Sequence, residues 1–297
     1  MNVGYIGLGA MGGALANHLV RKHSLTVLDL NRDVVARFVE LGAHGAANGA
    51  ELARRSEVVV LCLPRSADVR QALFGPDGVA EGLAHGSVVI DQTSGQPQET
   101  RALAKQLAER GVAMIDAPVS GAMATAIAGT VSIIASGPRA TYDRVRPLLT
   151  DISPNVFHVG ETVGNGQTMK AVNNMLNGGC RLASLELAAM GRKYGLSMEA
   201  MIAALNATTA TNFTTRGMFP AIAEGRQSTK FRLVLQLKDA NQAVGMGADQ
   251  GVVMPLSSLA SGMLQLGVNF MGQDAQLEQI IGFVEQMAAT RYVAQEA

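Results

Sequence analysis

The sequence predicts an α/β domain built on a parallel sheet, followed by an all-α domain. Three observations carry this expectation. Short apolar runs, mostly β-branched, alternate with helix-like segments through the first half of the chain. Near residue 160 the strand-like runs stop and only long helical patterns remain. A glycine-rich hexapeptide also sits where the first strand should turn into the first helix.

The strand candidates are residues 3–6, 26–28, 58–63, 88–90 and 114–115. Each is a short continuous apolar run, as a strand covered on both faces requires. Between them lie helical stretches at 10–21, 34–41, 50–54, 67–73 and 98–110, so the alternation reads as right-handed βαβ units. Two later runs, 131–135 and 156–159, are expected to extend the sheet around a helix near 140–149. The helical half is read as 166–194, 198–206, 231–249, 255–270 and 275–289, with Gly195, Gly251 and Gly272 at helix ends. The expected domains are 1–161 and 162–297.

Composition narrows the function. Lys+Arg and Asp+Glu both number 24, so net charge is zero, and aromatic residues make up only 4%. A nucleic-acid interface built on basic patches and stacking platforms is not expected. No apolar run reaches the ~18 residues needed to span a bilayer, and the N-terminus does not read as a signal peptide. Two cysteines, Cys62 and Cys180, sit among apolar neighbours, which fits a reducing, cytoplasmic setting and excludes a Cys-rich metal site. No histidine spacing suggests a metal either.

Gly7-Leu8-Gly9-Ala10-Met11-Gly12 follows the first strand and opens a helix. In that context Gly7 permits the tight turn, Gly9 lets a pyrophosphate approach, and Gly12 allows close helix–strand packing. N–H groups at the helix start, around Ala10 and Met11, would face the phosphates. The competing reading is a packing turn without a ligand. Asp29 ends the second strand 22 residues after Gly7, near the ~20 expected for an acid on the ribose of NAD. Asn31 and Arg32 follow at once, and Arg32 could grip the extra phosphate of NADP or simply be a solvated residue of the next helix. NAD is favoured, with NADP possible.

Lys170 and Asn174 are four apart on the long helix and share a face, among apolar neighbours. Lys170 is either a solvated tip or a functional amine. Ser120, Gly121 and Ala122 follow an apolar run and could bind a substrate carboxylate, or form an ordinary turn. Lys238-Asp239 is a third candidate, with a solvated helix face as the alternative. Gly164-Asn165-Gly166 reads as a helix entry.

Taken in order, four of these segments resemble the β-hydroxyacid dehydrogenase family, which includes 3-hydroxyisobutyrate dehydrogenase and tartronate semialdehyde reductase. They are the glycine hexapeptide with Asn17 and Leu19, then 116–121 with Gly129-Thr130, then Gly164-Asn165-Gly166 leading to Lys170 and Asn173-Asn174, then Lys238-Asp239. They span residues 7 to 239.

The resemblance implies a Rossmann-type N-terminal domain, a helical C-terminal domain and hydride exchange between a nicotinamide and a small hydroxy acid or its semialdehyde. It gives Lys170 the role of general acid/base, Asn174 that of holding lysine and substrate, and Ser120, Gly121 and Ala122 that of binding a carboxylate. Lys238 would close over substrate and cofactor, Phe231 would lie beside the nicotinamide, and Thr93 would contact it. Leu63 and Pro64 would also line the cofactor. An unperturbed lysine, at ~10.4, is a poor base near neutrality, so its surroundings would have to lower that value towards ~7–8. Ala122 departs from the second glycine usual in that loop, and its methyl would crowd the substrate. Arg65 stands where small or amide residues are usual. A tartronate semialdehyde reductase is the alternative within the family, and a non-catalytic NAD-sensing module the alternative outside it. A homodimer or homotetramer is expected.

Overall fold

A computed structural model describes residues 1–293. The chain divides into two compact units, Met1–Lys170 and Ala171–Ala297, described here in turn.

The first unit alternates strand and helix: β1 (Asn2–Ile6), α1 (Ala10–Asn17), β2 (Ser24–Leu28), α2 (Arg32–Glu40), β3 (His44–Gly45), α3 (Gly49–Arg54), β4 (Val58–Leu61) and α4 (Ser66–Phe74). It continues through β5 (Val88–Asp91), α5 (Pro97–Ala108), β6 (Ala113–Asp116), β7 (Val119–Ser120), α6 (Met123–Ile127), β8 (Ser132–Ala135), α7 (Arg139–Ile152) and β9 (Val156–His158). Six strands form one parallel sheet in the order β3-β2-β1-β4-β5-β6, the doubly wound Rossmann order.

Strand alternation assigns the core. Val3, Tyr5, Val58, Val60, Val88, Ile90 and Ile115 face a cluster with α1, α2 and α7. Ile6, Val59, Leu61, Val89 and Met114 face a second cluster with α3, α4 and α5. Successive side chains of a strand point to opposite faces, so a strand covered on both sides must be apolar throughout. Burying each of these valines or isoleucines is worth roughly 1.5–3 kcal/mol.

One expectation fails here. The runs at 131–135 and 156–159 do not extend the large sheet; with β7 they make a separate three-stranded sheet in the order β7-β8-β9. Pro118 has no N–H to give to a neighbouring strand. The chain instead turns after β6, β7 pairs antiparallel with β8, and a lone antiparallel bridge between Asp116 and Ser136 joins the two sheets.

The second unit is helical. The long α8 (Asn165–Lys193) runs into it, followed by α9 (Met198–Asn206), α10 (Phe219–Ala223), α11 (Leu233–Asp249), α12 (Pro255–Met271) and α13 (Ile280–Ala288). Its core joins Leu182 and Leu185 of α8, Leu237 and Ala240 of α11, Leu264 of α12 and Phe283 of α13. Gly195, Gly251 and Gly272 follow α8, α11 and α12 with positive φ, as helix-ending residues do.

Three details depart from the sequence reading. Helix α11 starts at Leu233, not at 231, because Arg232 is extended and pairs with Gln276; Phe231 therefore precedes the helix. The expected helix 275–289 is a short 3-10 turn, Leu277–Gln279, followed by α13. The first helix stops at Asn17 and does not reach residue 21. Among the described residues no helix is long and apolar enough to cross a membrane.

Candidate active site

In the first unit the chain order and the strand order diverge between β1 and β4, where open α/β sheets bind ligands at the strand ends. The glycine loop lies at that point. Gly7 has φ +93°, and a Cβ there would come 2.3 Å from the Cys62 carbonyl just beyond β4. A Cβ at Gly12 would sit 2.0 Å from the Gly7 carbonyl, so only glycine lets α1 start this close to β1. At Gly9, by contrast, a Cβ would meet nothing within 4 Å, and no side chain caps the helix that begins at Ala10. An uncapped helix start beside an open backbone fits the pyrophosphate of a dinucleotide; Ala10 and Met11 open that helix.

Asp29 closes the second strand's end of the loop. Its Oδ2 accepts the Leu8 N–H at 2.6 Å and its Oδ1 the Asn31 N–H at 2.8 Å. Asn31 in turn caps α2 by accepting from the Asp33 N–H. Arg32 is exposed, and its guanidinium reaches the Ala46 and Ala47 carbonyls at 3.4 Å. Beyond β4 the Leu63 N–H donates to Thr93 Oγ1 at 3.0 Å, joining the loops after β4 and β5. Pro64 and Arg65 are exposed, and Arg65 pairs with Asp68.

Beneath these loops lies a buried polar layer. The Tyr5 hydroxyl donates to Gln92 Oε1 at 2.8 Å. Burial pushes the Cys62 thiol up to about 12 and the Asp91 carboxyl up to about 7. The Thr93 N–H donates to Asp91 Oδ1 at 2.9 Å and offsets part of that rise. Asp116, opposite Asp91 on the next strand, is also raised by burial. Its carboxylate accepts the Ser136 hydroxyl at 2.5 Å, the Gly164 N–H at 2.7 Å and the Gln167 N–H at 2.8 Å. The start of α8 is thus capped from strand ends distant in sequence, in place of a local Ser or Asn.

Ser120 lies on β7 opposite Ser132 of β8. Gly121 and Ala122 are exposed, and Ala122 caps the five-residue α6. A Cβ at Gly121 would crowd Thr125 Oγ1 at 2.5 Å, so packing alone already requires a small residue there. Lys170 is half-buried on α8, one turn beyond Gln167.

In the second unit Asn174 Nδ2 donates to Asp239 Oδ2 at 2.7 Å, and Lys238 Nζ lies 3.2 Å from Asp239 Oδ1. The Asp239 side chain is only 12% exposed, against 38% for Lys238. The pair is therefore not a solvated face: Asp239 turns inward. Gln236, one turn before it on α11, donates to the Asn174 carbonyl and accepts from buried Arg181. Arg181 has its guanidinium lowered to about 10 by burial. Phe231 packs against the core of this unit.

The sequence offers Asp239 only as the neighbour of Lys238, with no role of its own, and does not point to Gln167. A sequence signal for Asp239 does exist: Gln236 and Gln242 lie three residues to either side of it on one helical face. Nothing local marks Gln167.

A doubly wound sheet with a glycine loop at its switch point and an acid at the end of its second strand defines a dinucleotide-binding protein of the Rossmann type. Comparison with known proteins narrows the class. Residues 2–160 match the model for the NAD-binding domain of 6-phosphogluconate dehydrogenase, and residues 164–284 that for the NAD-binding segment of NADP-dependent 3-hydroxyisobutyrate dehydrogenase. The chain is 34% identical over 271 residues to 2-(hydroxymethyl)glutarate dehydrogenase of Eubacterium barkeri, covering 90% of this chain and 89% of that one. It is 32% identical to 3-hydroxyisobutyrate dehydrogenase of Pseudomonas aeruginosa, covering 89% and 91%. The solved 3-hydroxyisobutyrate dehydrogenase of Salmonella typhimurium superposes with a TM-score of 0.81 at 27% identity, covering 95% and 99%. The chain belongs to the β-hydroxyacid dehydrogenase family. It is an NAD(P)-dependent oxidoreductase acting on hydroxyl-bearing substrates, which sets aside the NAD-sensing module.

Proposed function

We propose that this enzyme oxidises a small acid bearing a hydroxyl β to its carboxylate, or reduces the matching semialdehyde, with Lys170 as the proton-transfer group. The observation that carries the reading is α8 itself. Its first turn is capped by buried strand-end groups of the dinucleotide-binding unit, and it presents Lys170 one turn later.

In the oxidation direction Lys170 Nζ takes the hydroxyl proton as the carbon gives up hydride; in reduction its ammonium returns that proton. The bound nicotinamide supplies the hydride acceptor or donor. Ser120 and the N–H groups of Gly121 and Ala122 hold the carboxylate, and the Ala122 methyl restricts the acid that fits. Asn174 and Lys238 also bind substrate, with Asp239 fixing the Asn174 amide. Gly7, Gly9, Ala10, Met11 and Gly12 take the pyrophosphate, Asp29 and Asn31 the adenosine ribose, and Leu63, Pro64, Thr93, Phe231 and Lys238 the remainder of the cofactor. Asp29 favours NAD over NADP, because a carboxylate repels a 2′-phosphate; the Arg32 guanidinium is engaged with the Ala46 and Ala47 carbonyls. In this reading the functional boundary between cofactor and substrate domains falls at 161/162.

The activities for which relatives are named guide the choice of substrate. They include 2-(hydroxymethyl)glutarate, 3-hydroxyisobutyrate, L-threonate and L-serine dehydrogenases. The test is a panel of these four acids and tartronate semialdehyde, run with NAD⁺ or NADH and with NADP⁺ or NADPH, following absorbance of the reduced cofactor. Turnover of at least one β-hydroxy acid with NAD⁺ is expected; turnover of none would overturn the substrate class.

A cytoplasmic homodimer or homotetramer completes the proposal. Leu176, Leu187 and Met190 on α8, and Leu256, Leu259 and Phe270 on α12, are exposed. Their spacings are three and eleven residues, about one and three helical turns, so each helix shows an apolar stripe of the kind that buries against another subunit. Light scattering on the purified protein reads the subunit number directly.

A further inference from the structure

Gln167 is 1% exposed and spends both ends of its carboxamide on one loop. Its Nε2 donates to the Thr93 carbonyl at 2.6 Å, and its Oε1 accepts the Gly95 N–H at 2.8 Å. That loop follows β5 and is itself tied back through Thr93 Oγ1 to the Leu63 N–H. The backbone of the same helical turn is held independently. Asp116 accepts the N–H groups of Gly164 and Gln167, and Ser136 Oγ accepts that of Gly166. A Cβ on Gly166 would come 2.7 Å from Asp116 Oδ2, so this end of the helix is seated tightly.

The two sets of bonds do different work. Caps on backbone N–H groups lie near the helix axis and fix where α8 begins. A side-chain tether lies off the axis and opposes rotation about it. Lys170 is three residues on, about 4.5 Å along the axis and about 60° around it from Gln167. Its direction therefore follows the rotation that the Gln167 tether sets. A buried amide with both ends paired to backbone is also costly to break, because Gly95 N–H and Thr93 C=O would be left without these partners.

We propose that Gln167 is a positioning residue that holds the Lys170 side chain in register with the Thr93–Gly95 loop, where the cofactor's nicotinamide binds. The inference rests on the reading of Lys170 and Thr93 given under the proposed function. Gln167 touches no reacting atom; it acts through the helix.

The test reads Lys170 without requiring turnover. Competitive labelling with acetic anhydride across a pH series, quantified on the Lys170 peptide by mass spectrometry, gives the titration midpoint of that amine with and without saturating NAD⁺. A nearby nicotinamide cation disfavours the ammonium, so NAD⁺ is expected to lower the wild-type midpoint by about one pH unit or more. Gln167→Met keeps the length and loses both hydrogen bonds. It is expected to bind NAD⁺ within about threefold of wild type yet show less than half of that shift. Gln167→Glu, which keeps an acceptor for Gly95 N–H and loses the donor to Thr93 C=O, should fall between. A full shift in Gln167→Met overturns the proposal. So does loss of NAD⁺ binding or of cooperative unfolding in both variants, because Gln167 would then hold the fold and not the register. No shift in the wild type would instead sink the underlying reading that Lys170 faces the nicotinamide, and the proposal with it.

Discussion

Asn174 and Asp239, 65 residues apart, meet through a 2.7 Å hydrogen bond from Asn174 Nδ2 to Asp239 Oδ2. A carboxylate only accepts, so this contact decides which end of the Asn174 amide faces inward. The Asn173 Nδ2 donates to Asn174 Oδ1 at 3.1 Å and supports the same orientation.

Asp239→Asn removes that constraint, because an amide partner accepts and donates equally well. Hydrogen bonds to charged groups contribute roughly 1.5–3 kcal/mol, so kcat/KM for the acid is expected to fall by about 10-fold or more. The dissociation constant of NAD⁺ should be unchanged. Steady-state kinetics on the best substrate of the panel, with calorimetric titration of NAD⁺, check both halves.

Asp29 accepts two backbone N–H groups, and in the proposed reading its charge also faces the ribose of the cofactor. Asp29→Asn keeps the size and removes the charge that repels a 2′-phosphate. The ratio of kcat/KM with NAD⁺ to that with NADP⁺ is expected to fall by about 10-fold, a loss of roughly 1.4 kcal/mol of discrimination. An unchanged ratio with a lowered Tm would show that Asp29 serves only to pin the glycine loop.

Much of the first unit was legible because its signals are local. Residues 58–61 and 88–90 lie in central strands buried on both faces, so they read as unbroken apolar runs. The glycine hexapeptide carries its own strand–turn–helix context. The strand β3 is only His44-Gly45, too short and too polar for any pattern. The second sheet depended on how the chain turns at Pro118, which the apolar runs at 131–135 and 156–159 do not reveal. The site splits the same way. Lys170 and Asn174 share a helical face four residues apart, whereas Asp116 caps N–H groups 48 and 51 residues away and Gln167 reaches 74 residues back to Thr93. Such pairings exist only once the strands are ordered.

Asp91 makes stability depend on pH. Burial raises its carboxyl to about 7, against ~3.9 in an unfolded chain. Between those values the folded state holds a proton that the unfolded state has released, so stability falls as pH rises through that window. Three units correspond to about 4 kcal/mol at most. Asp91→Asn should flatten the dependence: wild-type Tm is expected to drop between pH 5 and pH 8 by several degrees more than that of the variant. Calorimetric scans at both pH values measure it, and parallel curves would place the proton on the neighbouring Asp116 instead.

The assignment of proton transfer to Lys170 is tested most directly by one pair of measurements on Lys170→Ala. The first is turnover of the panel's best acid with NAD⁺, and the second is NAD⁺ affinity by titration. General acid–base groups typically contribute 10²–10⁴-fold. Turnover is therefore expected to fall by at least about 100-fold while NAD⁺ binds within about threefold of wild type. Turnover within a few-fold of wild type, with NAD⁺ still bound, would contradict the account.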